Sequence, residues 1–151
     1  MCLESDLAIM DDPRVNELID EFDFLDDWEE RYRHVIELGK ALEPLSDSER
    51  NDANKVQGCV SQVWLVSEIL PGEPLRLHFR ADSDAHIVRG LAALLIRLLS
   101  DRPAKDILAL DVKAVFEAIG MADNLSAQRS NGLGAMIMRI RAVAEAALTK
   151  A

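Results

Sequence analysis

Apolar positions along the chain follow two rhythms. From Asp27 onward, Trp28, Tyr32, Val35, Ile36 and Leu42 recur on one face while Glu29, Glu30, Arg31, Arg33 and Glu37 fill the rest. That spacing predicts an amphipathic helix reaching about Leu42. Ahead of it, Asp11 and Asp12 precede Pro13 in a shorter helical pattern through Asp20; proline suits a first helical turn and carboxylates suit its positive end. After Ser83 or Asp84, either of which can cap a helix, Ile87, Val88, Leu91, Leu94, Leu95, Leu98 and Leu99 are apolar around more than half the circumference. This is the expected central helix. Pro103 starts a short helix through about Leu110, Asp111 caps another over residues 112–119, and Gly120 closes it in a left-handed conformation. From Ser126, Leu133, Met136, Ile137, Ile140, Val143, Ala144, Ala147 and Leu148 hold one face of a last helix.

The second rhythm has a period of two. Residues 60–70 are rich in β-branched and apolar side chains; after Pro71, Gly72, Glu73 and Pro74, the residues Leu75, Leu77 and Phe79 alternate with Arg76, His78 and Arg80. The pair predicts an antiparallel hairpin with one face on a core and one in water. Residues 44–54 hold Pro44, Ser46, Asp47, Ser48, Asn51, Asp52 and Asn54 without a sustained apolar period, so they read as surface loop. The fold class expected is α+β: a small antiparallel sheet, built on this hairpin with room for a third strand, packed against several helices. No repeat or Gly/Ser linker divides the chain, and 151 residues suit one core. A single domain over residues 1–151 is expected, with residues 1–12 as a flexible N-terminal extension.

Charge narrows the function. Lys and Arg number 17 against 27 Asp and Glu, a formal net charge of −10, which repels phosphate backbones. Nucleic acid is therefore not an expected partner. The longest apolar stretch, residues 91–99, is interrupted by Arg97 and too short to cross a bilayer, and residues 1–12 resemble no secretory signal. A cytoplasmic location without membrane contact is expected.

The cysteines are Cys2 and Cys59. Cys2, in the expected extension, reads as an incidental exposed thiol. Cys59 follows Gly58 where a polar loop meets a strand, a setting from which a thiol can reach a partner. His34, His78 and His86 share no metal-ligand spacing with each other or with either cysteine, and they read as solvated. Trp64 reads as core, as does the Met136 and Met138 pair.

The stretch Gln57-Gly58-Cys59-Val60-Ser61-Gln62-Val63-Trp64 resembles the Gly-Cys-x-Ser-x-Val-Trp motif of SufE-type sulfur acceptors, a family that includes the CsdE-like proteins. The likeness continues through Trp28-Glu29-Glu30-Arg31-Tyr32, Glu37-Leu38-Gly39, Asp82-Ser83-Asp84, Ile87-Val88-Arg89-Gly90-Leu91 and Ser126-Ala127-Gln128-Arg129-Ser130-Asn131-Gly132-Leu133, in the family's order.

This resemblance implies a SufE/IscU-like fold. It implies that Cys59 takes the outer sulfur of a persulfide on a pyridoxal-phosphate cysteine desulfurase, and that the sulfur passes to an iron–sulfur scaffold or other acceptor. The chain itself would hold no cofactor or metal and would act as a sulfurtransferase-like accessory protein stimulating the desulfurase. Gly58, Arg129 and Asp84 match positions that support transfer or docking. Arg129 has a second reading as a helix-cap or surface ion-pair residue, and Asp84 has one as a helix N-cap. Two other functions remain open: a stand-alone cysteine hydrolase or thiol peroxidase, for which the sequence identifies no partner histidine, and a non-catalytic adaptor. A homodimer is also compatible with the apolar helix faces.

Overall fold

In the computed structural model, which describes residues 12–57, 62–121 and 125–150, Asp12 opens the first helix, α1 (Pro13–Asp23), by accepting a hydrogen bond from the Arg14 amide at 3.0 Å. The same carboxylate pairs with Arg102 at 2.7 Å. The apolar residues of α1, Val15, Leu18 and Phe22, are buried. Asp27 caps α2 (Trp28–Lys40) through the Glu30 amide at 2.9 Å, and the Glu30 side chain reaches back to the Asp26 amide at 2.8 Å. These reciprocal bonds satisfy donors that a helix start leaves open.

Strands β1 (Val63–Leu70) and β2 (Arg76–Ser83) pair antiparallel, with Val63 opposite Ser83 and Leu70 opposite Arg76. A third strand, β3 (Arg102–Pro103), adds to the other edge of β2, giving the order β1-β2-β3. Leu77, Phe79 and Ala81 face the core, but Leu75 falls in the connection before β2 and is 40% exposed, contrary to the expected alternation. The ladder begins at Arg76, so the pleat does not carry Leu75 onto the covered face.

Helix α3 (His86–Leu99) lies against this face and is buried along most of its length, as an apolar pattern around more than half its circumference requires. Each fully buried leucine there contributes about 1.5–3 kcal/mol of transfer free energy. Where α3 passes α2, the backbones nearly touch. A Cβ on Gly90 would collide with the Val35 carbonyl, and one on Gly39 would lie 2.6 Å from the Gly90 nitrogen. Helices α4 (Ala104–Ala109) and α5 (Val112–Ala118) follow β3. Asp111 caps α5 through the Ala114 amide at 3.1 Å, and Gly120 follows with φ of 76°, as the sequence predicts. Helix α6 (Ala127–Lys150) buries Leu133, Met136, Ile140 and Ala144 in the same core.

The opposite face of the sheet is covered by the segment between α2 and β1. Asp82, 3% exposed, accepts hydrogen bonds from the Leu45 and Ser83 amides at 3.0 and 2.8 Å, with Arg50 and Arg89 at 3.7 and 3.6 Å. A buried carboxylate is tolerated when its charge and lone pairs are met in this way. Trp64 lies opposite Asp82 in the ladder, half-buried and outside the main core cluster, so its expected core position is corrected. Successive strand residues alternate faces, and Val63 and Leu65 take the core side.

Two histidines also differ from expectation. His34 bonds Glu21 at 2.7 Å, and Arg97 reaches the same carboxylate oxygen at 2.9 Å. His78 bonds Asp101 at 2.7 Å. Both rings are hydrogen-bonded to carboxylates rather than free in solvent.

Candidate functional site

Gly58 and Cys59, like Cys2, lie outside the described residues, so the site is defined by what flanks it. On the incoming side, residues 53–57 run antiparallel to the start of β1. The Leu65 amide donates to the Asn54 carbonyl and the Val56 amide to the Val63 carbonyl, each at 2.8 Å, with Lys55 opposite Trp64. The loop expected over residues 44–54 therefore ends as a short strand-like arm. Arg139 of α6 donates to the carbonyls of Ala53 at 2.8 Å and Lys55 at 3.3 Å.

On the outgoing side, Gln62 is held at both backbone groups. Its amide donates to Asp84 Oδ1 at 3.0 Å, and its carbonyl accepts from the Asp84 amide at 3.2 Å and from Ser83 Oγ at 2.8 Å. This corrects the capping expectation. The residue before α3 is Ala85, the helix start carries no side-chain cap bond, and the Asp84 carboxylate is engaged by Gln62 instead. Ser83 Oγ does accept from the Ala85 amide at 3.2 Å, one residue too early for α3 itself.

Beside the incoming arm, a cavity of about 780 Å³ opens between α5 and α6. Gln57, two residues before Cys59, lines it together with Phe116, Leu125, Leu133, Gly134 and Ile137. A second cavity of about 480 Å³ continues from it, sharing Lys113, Gly134, Ile137 and Met138 and reaching Arg141. The two make one apolar groove along α6. Met138 stands at its lip, 73% exposed, which corrects the expectation that both methionines are core; Met136 is buried as expected. The two positions differ because 138 falls off the face set by Leu133, Met136, Ile140 and Ala144.

Arg129 lies in the first turn of α6, where its amide donates to Ser126 Oγ at 3.3 Å. Its guanidinium sits over the Tyr32 ring, 5.3 Å from the centroid. Neither expected reading included this aromatic contact. Arg139 and Gly134 were not legible as site residues. Arg139 falls between Met138 and Ile140 and reads as an ordinary exposed charge, while Gly134 reads as a weak point in a helix. Among the described residues, no group of three or more His, Cys, Asp or Glu could hold a metal ion, and no helix is long and apolar enough to cross a membrane.

The chain matches the SufE family model, described as an Fe–S metabolism associated domain, over residues 16–144. It is 54% identical over 129 residues to an uncharacterized SufE-like protein of Rhizobium etli, covering 84% of this chain and 86% of the relative. It is 48% identical over 135 residues to an uncharacterized SufE-like protein of Rhizobium meliloti, covering 89% of this chain and 96% of that one. Its fold is similar to the solution structure of a hypothetical protein from Thermus thermophilus, with a TM-score of 0.72 at 19% identity, covering 91% of this chain and 97% of the other.

Proposed function

Because the chain belongs to the SufE family, whose members are associated with Fe–S metabolism, we propose that it accepts sulfur on Cys59 from the persulfide of a pyridoxal-phosphate cysteine desulfurase. The observation that carries this reading is the place of Gln57. It lines an apolar groove while standing two residues from the thiol, so the loop it leads into begins at the groove's edge.

The transfer is a displacement at sulfur. The Cys59 thiolate attacks the outer sulfur of the donor persulfide, a new S–S bond forms on Cys59, and the donor's own S–S bond breaks. The donor cysteine leaves as thiolate, with no net oxidation. An unperturbed thiol of pKa about 8.5 is only a few per cent thiolate at neutral pH, so the rate depends on access and on the leaving group as well as on ionisation. An apolar groove at the end of the incoming arm offers the persulfide product a place with little water access, where water-borne thiols would reduce it less readily.

In this reading Gly58 gives the loop its backbone freedom. Asp84 fixes the loop's exit through Gln62, and its exposed position leaves it open to a docking partner. Arg129 supplies positive charge on the first turn of the helix whose later turns line the groove. The chain works as an accessory sulfurtransferase of the cytoplasm, relieving the desulfurase of its persulfide and handing sulfur to an iron–sulfur scaffold or another acceptor.

Alanine release by a candidate desulfurase tests this. The protein raises turnover, Cys59→Ser abolishes the rise, and Cys2→Ser leaves it intact. Incubation with desulfurase and cysteine adds one reducible sulfur to the peptide holding Cys59. Stimulation by Cys59→Ser would convert the reading to that of an adaptor, and added sulfur on Cys2 alone would remove Cys59 from the mechanism.

A further inference from the structure

We infer that Arg139 is a positioning residue for sulfur acceptance: its guanidinium fixes the arm that delivers the chain to Cys59, and thereby sets where the thiol is presented. The inference rests on the reading of Cys59 as acceptor.

Successive carbonyls of an extended chain point to opposite sides. Asn54 directs its carbonyl at β1, where the Leu65 amide meets it, so those of Ala53 and Lys55 face outward. Arg139 meets both outward carbonyls, with Nη2 at 2.8 Å from Ala53 and Nη1 at 3.3 Å from Lys55. A planar guanidinium spans two acceptors on one strand edge, whereas a lysine ammonium offers a point charge without that fork. The side chain stands where a further strand would otherwise complete the sheet.

The helix that supplies this fork also lines the groove through Gly134, Ile137 and Met138. Tying the arm to α6 therefore fixes Gln57 relative to the groove. The outgoing side is held differently, by the three bonds that Ser83 and Asp84 make to Gln62. The exit is thus built on β2 and the turn that follows it. Among the described residues, the two outward carbonyls of the entrance are met by one side chain, Arg139, which takes no part in the proposed chemistry. Loss of that fork widens the range of positions from which Cys59 can react, and displacement reactions are sensitive to misplacement of about 1 Å.

The test uses the full chain with Arg139→Lys and Arg139→Gln. Three quantities are read: thermal stability, iodoacetamide alkylation of Cys59 and Cys2 followed in the same sample by peptide mass, and the rate of sulfur transfer from a desulfurase against acceptor concentration. In Arg139→Gln the ratio of Cys59 to Cys2 alkylation rises about threefold, and the maximal transfer rate falls about tenfold at an unchanged half-saturating concentration. Arg139→Lys falls between Gln and wild type. A general loosening of the fold would lower thermal stability in step with the rise in Cys59 alkylation, without splitting maximal rate from half-saturation. Wild-type alkylation ratios and transfer rates in both variants would overturn the inference. If the wild-type chain takes up no sulfur, the acceptor reading fails instead, and an unchanged alkylation ratio would then also remove the role in placing the thiol.

Discussion

The guanidinium of Arg129 lies 5.3 Å from the centroid of the Tyr32 ring, which itself packs 4.7 Å from that of Trp28. A residue of the first turn of α6 is thereby tied to the first turns of α2 through an aromatic stack. Among the described residues the cation is met by this ring and by no carboxylate within ion-pair distance. A cation–π contact at a partly exposed site is worth about 0.5–1 kcal/mol. In a double-mutant cycle of Arg129→Ala and Tyr32→Leu, urea unfolding will show a coupling energy of about that size. Strictly additive losses would mean that the contact contributes nothing.

Gly90→Ala will be strongly destabilising, because its Cβ would meet the carbonyl oxygen and carbon of Val35, which cannot rotate away as a side chain could. Overpacking of this kind costs about 1–3 kcal/mol or more, since α2 and α3 must separate. Chemical denaturation is the measurement. A change below about 0.5 kcal/mol would show that the two helices can slide apart freely.

That close crossing also explains what the sequence could and could not convey. Glu37-Leu38-Gly39 and Ile87-Val88-Arg89-Gly90-Leu91 stood out as family-like blocks, and both carry a glycine at this helix contact. Helices and the main hairpin were readable because their apolar periods are long and their breaks are marked by Pro71, Gly72, Pro103 and Gly120. The covering of the sheet's polar face was not. It depends on Asp82, which alternates with core residues like any solvent-facing position and is buried only because residues 42–50 fold over it. Arg139 was equally silent, since a guanidinium that serves distant carbonyls has the same sequence setting as one in water. Cys59 was legible through its flanking motif alone; no periodicity distinguishes a reactive thiol from an inert one.

Glu49 gives the acid limb of stability a specific contributor. The Arg80 guanidinium bonds both of its oxygens, and the Ser46 amide adds a further bond, holding its carboxyl at about 2 against the usual 4.5. A carboxylate whose folded value is depressed contributes stability that is fully present above the unfolded value and is lost as pH falls through the folded one. The difference in unfolding free energy between wild type and Glu49→Gln will therefore be constant near neutrality and shrink as pH drops from about 4.5 toward 2. Urea unfolding across that range reads it directly. A difference that grows with acidity would show that the Arg80 pair opposes folding.

Gly134 separates the groove from the fold that surrounds it. It lies within α6 and lines both cavities, and a Cβ built there would meet nothing within 4 Å. Its φ is not in the left-handed region, so side chains are admitted without backbone strain. Glycine inside a helix costs about 1 kcal/mol relative to alanine, so Gly134→Ala will stabilise the protein by about 0.5–1 kcal/mol and leave sulfur acceptance close to wild type. Gly134→Leu keeps the helix preference but projects its branch into the groove. Stability should be retained or raised while sulfur uptake by Cys59 falls, because the space beside the incoming arm is filled. Unfolding curves and desulfurase-dependent persulfide formation, measured on the same two variants, distinguish the outcomes. If Gly134→Leu folds well and accepts sulfur at the wild-type rate, the groove has no part in transfer.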